Sequence, residues 1–215
     1  MRLGLIGTGK QGQRYLLEKN GGRHITVSGS RRIPLDDVDG VIIATHPAGH
    51  KELALEAIAA GKHVLIEKPL ALNLADCMDI VDAAEKAAVH LTVAHLDCWA
   101  MSPLDQDIRR DQYCVIRYDE HTRDYSPWLD WGPHALALLE RTQSHCHASM
   151  VSLAKDGYQS LKLFDAKTDE CTYARRSVLE GEATPMWRML RDFTRGRSDD
   201  FDSTRRVYRA LFAEE

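Results

Sequence analysis

Lys68, Asp130 and His134 are the residues of this 215-residue sequence best suited to moving a proton. A lysine held just past a buried strand can hydrogen-bond a substrate oxygen, or transfer a proton if its pKa is lowered. Asp130 and His134 flank a predicted helix start at i, i+4 spacing, so both can lie on one face, where one can position the other. The imidazole titrates near neutrality and is suited to exchanging an oxygen-bound proton. Each residue has a plainer reading. Lys68 can be a surface lysine in a turn, and Asp130 a helix N-cap with Pro133 in the first turn.

A second group is built for binding. Gly7, Gly9 and Gly12 have G-x-G-x-x-G spacing, enclose Lys10 and Gln11, and follow the apolar run Leu3 to Ile6 directly. A strand, tight turn and helix in that order form a pyrophosphate site: one glycine turns the chain, one lets backbone approach the anion, and one lets helix pack on strand. The alternative is a glycine-rich structural turn. A second strand, His24 to Ser30, ends about twenty residues past the glycines, where an acid would grip the ribose 2′-hydroxyl of NAD. The sequence offers Ser28, Ser30, Arg31 and Arg32 there, hydroxyl and guanidinium groups suited to a 2′-phosphate, so NADP(H) is favoured over NAD(H). The two arginines can also simply cap a strand in solvent.

The elements that must position these residues alternate between strand and helix. A helix is predicted over Gln13 to Asn20, ended by Gly21-Gly22. Only Ile33 to Asp37 separates the second strand from the next apolar run, Val38 to Thr45, which leaves no room for both a crossover helix and another strand. Helices over His50 to Ala60 and Ala75 to Val89, with Asn73 as N-cap, flank a buried strand that runs from His63 into Glu67-Lys68-Pro69. Leu91 to Leu96 takes the sixth Rossmann-type strand position. Strand ends line the cleft in such sheets, which brings in Thr45, His46, His50 and Glu67 as cofactor-binding candidates.

Past Ser102-Pro103 the pattern changes to strands over Tyr113 to Tyr118, His145 to Ala154, Ser160 to Ala166 and Cys171 to Val178. Helices are predicted over Trp131 to Arg141, Met186 to Arg195 and Ser203 to Ala213. The expected fold is α/β: a trimmed N-terminal Rossmann-type parallel sheet over residues 1–101, then a small α+β domain with a mainly antiparallel sheet over residues 102–215.

Taken together, these motifs resemble the Gfo/Idh/MocA family of NAD(P)-dependent oxidoreductases. The glycine turn, Ala44-Thr45-His46-Pro47 with His50, Gly61-Lys-His-Val-Leu-Ile-Glu-Lys-Pro69 and Asp130-Trp-Gly-Pro-His134 occur in the family's order. The resemblance implies a catalytic Lys68, often before a cis proline, acting with His134 and Asp130 on a sugar-like or cyclic polyol hydroxyl and its ketone, with imine reduction as the alternative chemistry. It also implies a dimer through the open face of the second sheet. The chain departs from the family at Ala100 to Pro103, where an Arg-Phe type segment is usual, and in its short length. Either a compact reductase or a catalytically silent NADP-binding regulator is compatible with that length.

Composition excludes other classes. A formal charge of -4 and a pI near 6.2 argue against nucleic acid as partner. The pairs Arg109-Arg110, Arg175-Arg176 and Arg205-Arg206 are expected to be solvated faces. Five cysteines without a C-x-x-C fit free thiols in a reducing cytoplasm. No apolar run is long enough to span a membrane, and no secretory leader precedes the first strand. His145-Cys146-His147 can start a zinc site, although no further ligand set follows and no metal is expected. Trp128, Trp131 and Trp187 can wall a substrate pocket or pack a core.

Overall fold

The computed structural model describes residues 1–18, 22–100, 112–118, 123–143, 148–152, 160–174 and 184–213. The chain divides into two compact units, one formed by Met1–Ala94 with Met186–Arg205, the other by His95–Pro185 with Arg206–Glu215.

The first unit is a parallel sheet of β1 (Leu3–Ile6), β2 (Ile25–Gly29), β3 (Gly40–Ile43), β4 (His63–Ile66) and β5 (Leu91–Val93), in the order β2-β1-β3-β4-β5. Strands β1, β3 and β5 are buried at every position, as expected when both faces are covered, whereas edge strand β2 alternates between half-buried and exposed. The short link between β2 and β3 crosses directly over β1, so no strand lies outside β2. Because that outer strand is missing, Leu91 begins the fifth strand of this sheet, which stands beside β4 at the sixth Rossmann-type position.

Helix α1 spans Lys10–Leu17 and therefore starts earlier than the predicted Gln13. Gly12 lies inside it. Helix α2 (His50–Ala59) and helix α3 (Leu74–Lys86) follow the predicted positions, and the Asn73 side chain caps α3 by accepting from Asp76 N at 2.9 Å. The two are tied by Lys51, whose ammonium lies 2.6 Å from Asp76 and 2.7 Å from Asp79.

The chain returns to this unit near its end. Asp199 N donates to Leu91 O at 2.9 Å, and Val93 N donates to the Asp199 carboxylate at 2.7 Å, so the outer edge of β5 is satisfied by a segment over a hundred residues away. Arg205, expected in a solvated pair, has only 15% of its side chain exposed and binds Asp82, Glu85 and Asp202. Arg109, Arg110, Arg175 and Arg176 lie outside the described residues.

The second unit contains α4 (Leu96–Ala100), β6 (Gln112–Tyr118), α5 (Pro127–Arg141), β7 (Ala148–Ser152), β8 (Ser160–Asp165) and β9 (Cys171–Ala174). Its sheet order is β7-β6-β8-β9; β6 pairs antiparallel with β8 and β8 with β9, but β6 and β7 run parallel. Gln112, Cys114, Ile116, Leu161 and Leu163 form the buried face. On the other face Tyr113 stacks on Phe164 at 5.2 Å. Helices α6 (Pro185–Thr194) and α7 (Phe201–Ala213) complete the described elements.

Candidate active site

Backbone hydrogen bonds level the C-terminal ends of the first sheet. Gly7 N donates to Gly29 O at 2.8 Å, Ala44 N to Ile6 O at 2.8 Å, Glu67 N to Ile43 O at 2.9 Å and Ala94 N to Ile66 O at 2.9 Å. The row therefore carries the glycine turn, Thr45 and the Glu67-Lys68 pair along one edge, the side on which open parallel sheets bind ligands.

Three different constraints explain the three glycines. Gly7 has φ +100°, and a Cβ there would lie 2.5 Å from the Ala44 carbonyl. A Cβ on Gly12 would sit 1.9 Å from Gly7 O, so the helix can rest on the turn only without a side chain. Gly9 faces open space, with nothing within 4 Å of such a Cβ. It is also the N-cap of α1, makes no side-chain cap bond and is followed by no acid in the first turn. Exposed backbone at a helix start that no side chain caps is what a pyrophosphate needs, and Lys10 stands exposed beside it.

Gln11 and Glu67 meet. The Glu67 carboxylate, 8% exposed, accepts from Gln11 Nε2 and from the Tyr15 hydroxyl, each at 2.7 Å. Burial pushes the Glu67 carboxyl above its ordinary range, and burial together with Glu67 raises the Tyr15 phenol. Glu67 thus locks α1 to the end of β4, immediately before half-buried Lys68 and the cis Lys68-Pro69 bond.

His50 and His46 stand in different settings at the strand ends. His50 is fully buried, with Nδ1 2.9 Å from Pro69 O and Nε2 3.2 Å from Thr45 O. It bridges the ends of β3 and β4, and burial lowers its proton affinity. The exposed His46 caps a 3₁₀ turn, its Nδ1 accepting from Ala48 N at 3.3 Å. Thr45 is half-buried between them.

At the end of β2, Ser28, Ser30, Arg31 and Arg32 are all exposed. Arg32 is engaged by α2, 3.1 Å from Glu52 and 3.6 Å from Glu56.

In the second unit, Ser126 caps α5, accepting from Leu129 N at 3.2 Å, and Pro127 opens the helix. The N-cap reading of Asp130 is thereby overturned: Asp130 sits within the helix and is 9% exposed. His134 lies one turn further along, 5% exposed. Its Nδ1 is 3.2 Å from Oδ2 of Asp97, on α4. Sequence spacing paired His134 only with Asp130. The missed signal is an acid inside the apolar segment Leu91 to Cys98, since a buried carboxylate needs a partner.

Trp128 donates to Leu211 O at 2.8 Å, Trp131 is buried, and Trp187 stacks under Arg191 at 5.0 Å, so each has a packing role. Cys77, Cys98, Cys114 and Cys171 are free. His145, Cys146 and His147 lie outside the described residues. No helix among the described residues is long and apolar enough to cross a membrane.

Residues 28–95 match the model of the oxidoreductase family with an NAD-binding Rossmann fold, GFO_IDH_MocA. Over that segment, about a third of its length, the chain is similar to the Gfo/Idh/MocA oxidoreductases. Among curated relatives, 1,5-anhydro-D-fructose reductase of Ensifer adhaerens is 42% identical over 86 residues, 40% of this chain and 26% of that protein. Oxidoreductase P35 of Formosa agariphila is 38% identical over 77 residues, 36% of this chain and 24% of that protein. The matched segment thus spans about a quarter of these relatives' length.

Solved structures share the fold over nearly the whole chain. UDP-N-acetylglucosamine 3-dehydrogenase of Acidithiobacillus ferrooxidans superposes with a TM-score of 0.74 at 17% identity, covering 99% of this chain and 96% of that one. GenD2 from gentamicin A biosynthesis, in complex with NAD, gives 0.67 at 16% identity, covering 99% and 92%.

Proposed function

We propose that this chain is an NADP(H)-dependent oxidoreductase of the Gfo/Idh/MocA type that interconverts a carbinol and a carbonyl on a sugar-like or cyclic polyol substrate. The observation that carries the reading is the open, uncapped backbone at Gly9, level with the strand ends that bear Thr45 and Lys68. The residues fit a dinucleotide: α1 receives the pyrophosphate, and Ser30 with Arg31 receives a 2′-phosphate at the end of β2. A relative named as an anhydrofructose reductase and a fold neighbour named as a sugar-nucleotide dehydrogenase support the substrate class.

A bound nicotinamide supplies or accepts the hydride. Lys68 hydrogen-bonds the substrate oxygen and stabilises its developing charge. His134 takes the hydroxyl proton in oxidation and returns it in reduction, while Asp130 contacts substrate hydroxyls or holds the imidazole. His50 and Glu67 act on the loop that carries Lys68 rather than on the ligand. The reading includes a cytoplasmic homodimer that covers the open face of the second sheet.

Titrating the protein with NADPH and NADH while following nicotinamide fluorescence tests the cofactor assignment. Tighter NADPH binding is expected; equal affinity or a preference for NADH removes the 2′-phosphate assignment. Binding without turnover across a panel of polyols, ketones and imines would make the chain a NADP-responsive binding protein.

A further inference from the structure

We infer that Asp97 is a positioning residue for His134, fixing the proton on Nδ1 so that Nε2 is the nitrogen presented to the substrate oxygen. The inference rests on the proton-exchange role proposed for His134. It moves the orienting function from Asp130, one turn away on the same helix, to a carboxylate supplied by a different helix.

Three observations support it. The two groups are close, 3.2 Å between Nδ1 and Oδ2 with side-chain exposures of 6% for His134 and 1% for Asp97, although not aligned as a directed hydrogen bond, so the carboxylate acts on the ring through its charge. A buried carboxylate beside a ring nitrogen favours an N–H there over a lone pair, which its charge would repel. Asp97 is also held by its backbone setting: α4 follows directly on the end of β5, and Cys98 N donates to His95 O at 2.9 Å to form its first turn.

The surroundings leave the pair a defined electrostatic setting. Cys114 on β6 has its thiol pushed up to about 12 by burial and by the charge of Asp97, so it adds no second anion. His95 meets His134 edge-on at 6.1 Å and lies 6.1 Å from Tyr208 of α7; Trp131 of α5 is 6.3 Å from the His134 ring. Asp130, one turn before His134 on α5, is a second buried carboxylate of this helix-and-sheet unit. A neutral imidazole has one N–H, and placing it on Nδ1 leaves the Nε2 lone pair to accept a proton.

The two nitrogens can be told apart by nuclear magnetic resonance on ¹⁵N-histidine-labelled full chain, with His134→Gln assigning the resonance. At neutral pH the wild type should show a protonated Nδ1 and a bare Nε2 on His134. Asp97→Asn should shift the proton to Nε2, Asp97→Glu should restore the original pattern, and NADPH binding should be unchanged in both. A wild-type His134 protonated on Nε2, or a pattern indifferent to Asp97→Asn, overturns the proposal, and the wild-type measurement decides even if a variant fails to fold. On any panel substrate that is turned over, Asp97→Asn should lower kcat by about 10⁴-fold with KM little changed, the loss expected for a wrong tautomer. The expected tautomers without turnover of any substrate would sustain the positioning and remove the oxidoreductase reading instead.

Discussion

The two units hold their candidate chemistry by different means. In the first, position comes from backbone: Gly7, Ala44, Glu67 and Ala94 are levelled by strand-to-strand hydrogen bonds, and two glycines are required by main-chain atoms at 1.9 to 2.5 Å from where a Cβ would stand. In the second, position comes from side chains that meet across helices, as His134 and Asp97 do. A backbone-held site is sensitive to added volume, whereas a side-chain-held site is sensitive to lost groups.

Gly12→Ala should break the first arrangement most severely. The added methyl meets Gly7 O, which cannot swing away as a side-chain end can, because Gly7 is itself bonded to Gly29. Overpacking of this kind costs about 3 kcal/mol. Melting should fall by roughly 10 °C for a chain of this size. Gly9→Ala is the matched control, since its methyl meets nothing within 4 Å. It should melt within roughly 2 °C of wild type yet bind NADPH at least about tenfold more weakly, because the methyl stands where the pyrophosphate must approach. Equal melting losses in the two variants would show that the turn is merely structural.

Glu67→Gln tests a place where the first unit also relies on a side-chain network. Both hydrogen bonds, from Gln11 and from Tyr15, end on Oε1 of the carboxylate, so an amide oxygen in that place can accept both but without the charge that strengthens them. A loss of about 1–3 kcal/mol in denaturant unfolding is expected. The double variant with Tyr15→Phe should lose less than the sum of the two single changes; strict additivity would mean that the network is not coupled.

How much of this was legible follows the same division. Strands β1, β3 and β4 could be read because burial on both faces writes them as unbroken apolar runs, and the missing crossover helix could be counted from the five residues Ile33 to Asp37. The start of α1 was misplaced because a glycine inside a first turn looks like loop, although here it is what lets the helix approach Gly7. The start of α5 reads late in the sequence because Pro133, inside the helix, competes with Ser126-Pro127 as a first-turn signal. Arg205 and Asp199 carry no periodic signal at all, since their partners on α3 and β5 are determined only by the folded chain. The Asp97–His134 contact is hidden for the same reason.

Histidines give a smaller, pH-dependent effect. Burial lowers the proton affinity of His50, and burial with the neighbouring His90 lowers that of His63, whose ring lies 4.3 Å from the His90 ring. Both groups titrate near 6.5 in the unfolded chain. As pH falls through that value the unfolded state takes up protons that the folded state refuses, so stability is present above about 6.5 and declines below it. Melting should be flat from pH 8 to 7 and fall toward pH 5.5. His63→Gln should flatten that fall in part, because half-buried His63 contributes less than fully buried His50. An unchanged pH profile would remove His63 from the account.

The least destabilising changes should discriminate best at the adenosine end of the first unit. Arg31 and Arg32 are both exposed, but Arg32 is committed to Glu52 and Glu56 on α2. That pair is a solvent-exposed one, with side-chain exposures of 67% for Arg32 and 74% for Glu52, so breaking it costs less than about 1 kcal/mol. Neither Arg31→Ala nor Arg32→Ala should shift melting by more than roughly 3 °C. Their effects on ligand choice should differ. Arg31→Ala should cut NADPH affinity about tenfold while leaving NADH binding unchanged, the loss expected for one charge-assisted contact to a 2′-phosphate. Arg32→Ala should change the ratio less, because its guanidinium is already shared with two carboxylates. If Arg32→Ala proved the more damaging of the two, the phosphate would be held from α2's side of the strand end, and Arg31 would be the solvated cap.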